Sequence, residues 1–292
     1  MKITGNTQVF FVIADPIGQV RAPELFNRVF ELHGVDAVVV PLQVAADDFE
    51  PTVRALFRSP STGGVFLSIP HKPAALTVAD RCSELAEVAG AVNALRRGRD
   101  GAIEGELFDG LGFVKALDDA HIAYAGRRVL LIGAGGAASA AAATLAARGT
   151  SEIAIFDPVA DKAMQLASRI VSAFRIDAYA AASNDPAGYD LVVNVSPLGM
   201  KTDDPVPFDV ARLDDGAAVF DVLMKNQPTP LVRAARARGL TAEPGFEMLI
   251  QQAPLYLRFF GLEAAASGIE NDASALRAMI YPPELLDSHR LS

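Results

Sequence analysis

Residues 129–157 restrict the chain more than any other stretch. A short apolar run, Val129–Ile132, meets the turn Gly133-Ala134-Gly135-Gly136-Ala137; an alanine-rich segment, Gly149 and a second apolar run, Ile153–Phe156, follow, closed by Asp157. The spacing predicts a strand, a glycine turn, a helix over 137–148 and a second strand. That is a unit of about 30 residues, the size of a dinucleotide-binding βαβ unit. Alanine is the best helix former, and a four-residue apolar run suits a strand buried on both faces. The glycines allow a tight turn and let a pyrophosphate reach the amides of the turn. The helix N-terminus adds unpaired N–H groups and a partial positive charge. Asp157 comes roughly 20 residues later, where a carboxylate can bond ribose hydroxyls. Ser139 replaces the third glycine of the usual fingerprint, so the expectation rests on the strand–helix–strand context and not on the turn alone.

At 292 residues the chain has room for two domains, and 51% hydrophobic residues supply a substantial core. A net charge of −9 argues against nucleic acid or an anionic membrane as partner. It does not disfavour a small-molecule substrate or a dinucleotide, because helix ends and single basic residues act locally. Cys82 is the single cysteine, so there is no intrachain disulfide, as suits a reducing cytoplasm. The start lacks a signal-peptide layout, and no apolar run reaches the roughly 18 residues of a membrane span. A cytoplasmic protein without a metal site is expected.

Elsewhere, strand and helix alternate. Val9–Ala14, Ala37–Leu42 and Val65–Ile69 read as strands, with helices from Pro23 to about His33 and over Asp47–Arg58. Ala91–Arg96 and Ala102–Glu106 read as a hairpin, and Asp109–Ala120 as a connecting helix. Later strands are expected at Ile176–Ala180, Leu191–Val195 and Ala218–Val222, and helices at Thr229–Gly239, Met248–Phe260 and Ala273–Ile280. Residues 281–292 read as a polar, frayed tail. Such alternation implies a mostly parallel sheet covered on both faces.

The ordered landmarks Ser68-Ile-Pro-His-Lys72, Gly90-Ala-Val-Asn93, Phe108-Asp109-Gly110, Gly133-Ala-Gly-Gly136, Asn194-Val-Ser-Pro-Leu-Gly-Met200, Thr229-Pro-Leu231 and Gly245-Phe-Glu-Met-Leu-Ile-Gln-Gln252-Ala253 resemble the shikimate/quinate dehydrogenase family along nearly the whole chain. The resemblance implies two α/β domains with a cleft between them. One is a substrate domain of residues 1–108, completed by helices in 245–292; the other is a Rossmann-like NAD-binding domain of residues 109–244. It implies reversible hydride transfer between nicotinamide and a ring hydroxyl of a shikimate-like hydroxy acid, in the shikimate pathway of aromatic amino acid biosynthesis, by a monomer or homodimer. By position, Lys72 and Asp109 match the catalytic pair, and Asn93, Gln252 and Ser68 match substrate-binding residues. Gly133, Ala134, Gly135, Gly136, Ala137, Asp157, Asn194, Ser196, Gly245 and Met248 match the cofactor side. The chemistry suits the pair: a lysine can take the hydroxyl proton as hydride leaves and steady the alkoxide, with an aspartate to orient it and bond a substrate hydroxyl.

The chain also departs from that pattern. Val20 and Ala22 stand where the family has carboxylate-binding serines, Phe66 where it has asparagine, Ala94 where it has threonine and Met224 where it has tyrosine. Neither Val20 nor Ala22 can donate a side-chain hydrogen bond. The expected consequence is weak or absent activity on shikimate itself and an altered substrate preference, with Arg21, or less favourably His71, in the serines' place. A catalytically weak NAD-binding sensor is the alternative. Asp157-Pro158-Val159 stands where members that use NADP carry an arginine for the 2′-phosphate, so NAD is expected over NADP; nearby Lys162 argues the other way.

Overall fold

The apolar runs of the first 108 residues assemble one sheet, and those from Asp109 onward assemble a second. A computed structural model of the chain describes residues 2–283 and 285–286. Their contacts divide it into two compact units, residues 1–108 with 252–279 and residues 109–251 with 280–292.

The first sheet comprises β1 (Gln8–Ala14), β2 (Ala37–Gln43), β3 (Thr62–Leu67), β4 (Arg81–Cys82), β5 (Ala94–Arg97) and β6 (Ile103–Glu106), in the order β2-β1-β3-β5-β6-β4. Between them run α1 (Ala22–Leu32), α2 (Phe49–Leu56), α3 (Ala75–Val78) and α4 (Glu84–Ala89). β1 pairs in parallel with β2 and β3, but β5 lies antiparallel to both β3 and β6. The sheet is therefore mixed, because the short connection from β5 to β6 permits only a hairpin. The core is aromatic: Phe66 is buried against Phe10, Phe26, Tyr256 and Phe260, with ring centroids 4.5–6.4 Å apart.

The second unit opens with α5 (Asp109–Asp119) and continues through β7 (Arg128–Ile132), α6 (Gly136–Ala147), β8 (Glu152–Phe156), α7 (Ala160–Ala173), β9 (Asp177–Ala180), β10 (Leu191–Asn194), β11 (Ala218–Asp221), α8 (Pro230–Ala237) and β12 (Ala242–Pro244). The strand order is β12-β11-β10-β7-β8-β9, with every pair parallel. This is the doubly wound dinucleotide-binding order, and its switch point lies between β7 and β10. Parallel strands are buried on both faces, hence the unbroken apolar runs in β7 and β10. Helix α6 is buried from Ala138 to Leu145. A Cβ on Gly110 would stand 2.2 Å from the carbonyl oxygen of Ala140 and from Oγ1 of Thr144, so α5 and α6 meet backbone against backbone.

The division falls within α9 (Phe246–Phe259), which is followed by α10 (Glu263–Asn271) and α11 (Ser274–Ile280). β4 and β12 are too short to carry a readable period, and α10, which buries Ala265, Ala266 and Ile269, is not among the expected helices. The expectation of a frayed tail fails at its start: Tyr281 packs on Phe246, its hydroxyl donates to Glu247 at 2.9 Å, and Leu285 is buried. The rest of that tail, from residue 287, lies outside the described residues. No described helix is long and apolar enough to cross a membrane.

Gly110→Ala should destabilise the protein by about 1–3 kcal/mol, because its methyl group meets helix backbone that cannot yield. A urea unfolding midpoint equal to that of the wild type would contradict this helix contact.

Candidate functional site

In the first unit, three strand ends bring the expected substrate-side residues together. Ser68 follows β3, and its N–H donates to the carbonyl of Ile13 in β1 at 2.9 Å. The N–H of His71 donates to Ser68 at 3.0 Å, and the Lys72 carbonyl accepts from Val92 at 2.8 Å. Lys72 is thereby tied by backbone to the residue before Asn93. Asn93 itself is clamped by its main chain: its N–H donates to Glu106 at 2.9 Å, and its carbonyl accepts from Leu67 at 2.8 Å.

The Asn93 side chain is fully buried, and its Oδ1 accepts from the Phe108 N–H at 2.9 Å. Its Nδ2 finds no partner among the described residues. An unpaired buried amide costs about 1–3 kcal/mol, so the group is held ready for an acceptor from outside the protein. Gln252, in the portion of α9 that belongs to this unit, is a second buried polar side chain. Tyr256, one turn on, directs its hydroxyl toward the Asn93 carbonyl at 3.5 Å and stacks edge-on against Phe108. Sequence reasoning missed Tyr256, because nothing in an amphipathic helix marks which position faces a distant loop.

Two substitute carboxylate binders fare differently. The His71 ring is buried, lies parallel to Phe49 at 4.6 Å and donates through Nε2 to the Val44 carbonyl at 2.8 Å. It is a core histidine, and the expectation that it could replace the serines is corrected. Arg21 remains exposed, in a 3.4 Å ion pair with Glu24 one turn away, a contact of at most about 1 kcal/mol. Val20 and Ala22 are half-buried. Phe66, which stands in place of a polar residue, is buried in the aromatic core against Phe26 and Tyr256.

In the second unit, the glycine turn occupies the carboxyl end of β7. Gly133 has φ +116°, and a Cβ there would stand 2.9 Å from the Val195 carbonyl oxygen, so only glycine fits between the turns after β7 and β10. A Cβ at Gly135 or Gly136 would meet nothing within 4 Å, which leaves open space above the first turn of α6. The first N–H groups of α6 have no partner within the helix, and these residues fit the pyrophosphate of a dinucleotide. A Cβ on Gly245 would meet the Val222 carbonyl at 2.4 Å, and Met248 follows in the first turn of α9.

Three expected cofactor-side residues are engaged by the protein itself. Asp157 accepts from the Ala134 N–H and the Val159 N–H, each at 2.9 Å. Asn194 is fully buried; both its Nδ2 hydrogens are used, on the Leu198 carbonyl and Asp221, and its Oδ1 accepts from the N–H and hydroxyl of Ser196. Asp221 is also fully buried. Burial pushes its carboxyl up, while hydrogen bonds from Thr229, Leu223 and Asn194 pull it back down. Lys72 belongs to the first unit, and Asp109 opens the second as the first residue of α5. No group of acidic, histidine or cysteine side chains suited to a metal ion occurs among the described residues.

Residues 12–95 match the shikimate dehydrogenase substrate binding domain. Over 285 residues the chain is 36% identical to the shikimate dehydrogenase (NADP(+)) of Rubrobacter xylanophilus, covering 94% of this chain and 96% of that protein. Among solved structures, the shikimate 5-dehydrogenase of Listeria monocytogenes in complex with shikimate and NAD has a TM-score of 0.84 at 27% identity, over 93% of this chain and 98% of that one. The ligand-free 5-ketofructose reductase of Gluconobacter sp. strain CHM43 has a TM-score of 0.82 at 27% identity, over 92% of this chain and 99% of that one.

These relatives overturn the expectation of NAD over NADP. The Rubrobacter protein and further curated relatives at 33–38% identity carry NADP(+) in their names. The structure supplies a physical reason: the Asp157 carboxylate is engaged by the Ala134 N–H of the glycine turn and the Val159 N–H of its own loop, so its presence reports how the two loops are joined and not the choice of sugar.

Asn93→Ala should cost about 1–3 kcal/mol by leaving the Phe108 N–H buried without an acceptor. Denaturant unfolding reads this directly, and an unchanged midpoint would refute the clamp.

Proposed function

The chain belongs to the shikimate dehydrogenase family and is an oxidoreductase of shikimate/quinate dehydrogenase type acting on a CH–OH group; on that premise we propose that it moves hydride between NADP(H) and a secondary hydroxyl of a polyhydroxylated ring substrate whose carboxylate it holds weakly. The observation that carries the substrate side is the unpaired, buried Nδ2 of Asn93, fixed beside Lys72 through the Val92 backbone bond. Such a donor suits a ligand hydroxyl or ring oxygen.

In this reading Lys72 exchanges the proton of the reacting hydroxyl and steadies the alkoxide, a task for a side chain with a mobile amine. Asp109 orients that exchange and accepts from a neighbouring substrate hydroxyl. Asn93, Ser68 and Gln252 supply neutral hydrogen bonds that fix the ring. NADP, when bound, supplies the hydride acceptor. The turn Gly133–Ala137 receives its pyrophosphate at the start of α6, with Ser196 and Gly245 on the adjoining loops and Met248 in the first turn of α9. Asn194 and Asp157 hold those loops in place.

The altered substrate preference follows from what faces a carboxylate. Val20 and Ala22 offer no donor and His71 is committed to the core, which leaves Arg21, in a weak exposed pair with Glu24, as the remaining candidate. A substrate carboxylate would therefore lose charge-assisted bonds worth about 1.5–3 kcal/mol each. The Gluconobacter protein is named for a keto sugar, whereas the curated relatives at 33–38% identity are named for shikimate. The alternative of a catalytically weak sensor finds no support, since the relatives carry enzyme names.

Two measurements test the reading. Lys72→Ala should lower kcat by at least about 100-fold while NADPH affinity, followed by fluorescence titration, stays put; near-wild-type turnover would refute the role of Lys72. Installing both serines, Val20→Ser with Ala22→Ser, should raise kcat/KM for shikimate by about tenfold or more, as one restored charge-assisted bond implies. If shikimate turnover is already high in the wild type and the double variant does not change it, the weak-carboxylate reading is wrong.

A further inference from the structure

The second unit holds a buried carboxylate that the roles above leave unused. Asp221 ends β11. Its Oδ1 accepts from Asn194 Nδ2 at 3.0 Å and from the Leu223 N–H at 3.2 Å, and its Oδ2 accepts from the Thr229 hydroxyl at 2.6 Å. Asn194 passes the constraint on. It accepts the N–H and the hydroxyl of Ser196 at 3.1 and 2.7 Å and donates to the Leu198 carbonyl at 3.0 Å. The segment thus held, 195–198, backs directly on the glycine turn, because the Val195 carbonyl stands where a side chain on Gly133 would go.

A buried charge costs several kcal/mol unless every lone pair is used, and an apolar residue of similar size would serve a core as well or better. The hydrogen-bond partners gathered by Asp221 and Asn194 share one location. Leu223, Thr229, Ser196 and Leu198 all lie in loops at or just beyond the carboxyl ends of β10 and β11, beside the switch point at which doubly wound sheets bind their ligand. Buried polar networks of this kind fix one loop geometry among several of similar packing energy.

We propose that Asp221 is a positioning residue for the dinucleotide: acting through Asn194, it sets the segment 195–198 against the glycine turn so that Ser196 and the first turn of α6 receive the cofactor together. Asp221 touches neither cofactor nor substrate. The inference rests on the dinucleotide reading of this unit, and its test separates the two.

NADPH is titrated against the full-length protein by fluorescence, and melting temperatures are recorded in parallel. Asp221→Ala, which strands the Asn194 and Leu223 donors, should raise the NADPH Kd at least tenfold. Asn194→Ala should do the same while leaving Asp221 bonded to Thr229 and Leu223, and it carries the test if Asp221→Ala does not fold. Asp221→Asn should restore wild-type affinity, since its Oδ1 still accepts from Asn194 and Leu223 and its Nδ2 can donate to the Thr229 hydroxyl. Phe208→Leu, in the same unit's apolar core, should lower the melting temperature and leave Kd unchanged. A Kd within twofold of wild type in both alanine variants would overturn the proposal. So would an equal loss of affinity in Phe208→Leu, which would make the effect one of stability alone. A wild-type protein that failed to bind NADPH would instead overturn the cofactor reading, and this inference with it.

Discussion

The second unit depends on a contact between two backbones. Gly133 and Val195 approach so closely that no side chain fits between them, and the conformation of Gly133 is one that L side chains rarely adopt. Strands β7 and β10 are neighbours in the sheet, and their connections diverge from this point. Glycine makes the approach possible, and the hydrogen bonds of Asn194 and Asp221 keep the far wall in position. Removing a side chain at one wall and spending buried polar groups on the other yields an opening at the start of α6 lined by unpaired N–H groups.

Close backbone approach recurs where other segments meet. Gly110 lets α5 settle on α6 just after Asp109, and Gly245 lets the end of β12 settle against Val222 just before α9 begins. Asp109 directly precedes Gly110, and Met248 follows Gly245 within the first turn of α9.

The first unit uses aromatic packing for the same purpose. Phe10, Phe26, Phe66, Tyr256 and Phe260 interlock behind the strand ends that carry Ser68, Lys72 and Asn93. Tyr256 belongs to this cluster and also reaches the Asn93 carbonyl, so the apolar core and the polar surroundings of Asn93 share a residue. Phe66 shows how a substitution that looks chemical in a sequence can be one of packing. The changes at Val20 and Ala22 lie outside that core, half-buried at the start of α1, and carry the proposed change in substrate preference.

The sequence by itself determined the order and kind of most elements, the glycine turn and the family. These features are local: apolar runs, alanine content, glycines at turns and ordered short motifs are legible within a few residues of themselves. The short strands β4 and β12 escaped because so few residues have no period to read. Tertiary structure alone decided which polar side chains face a ligand and which are spent on the protein. His71 turned out to serve Val44, Asp157 to serve Ala134 and Val159, and Asn194 to serve Asp221, while Asn93 kept an amide in reserve. Most of these partners lie tens of residues apart in the chain. A hydrogen bond depends on where the fold brings two groups, and motif spacing carries no record of that.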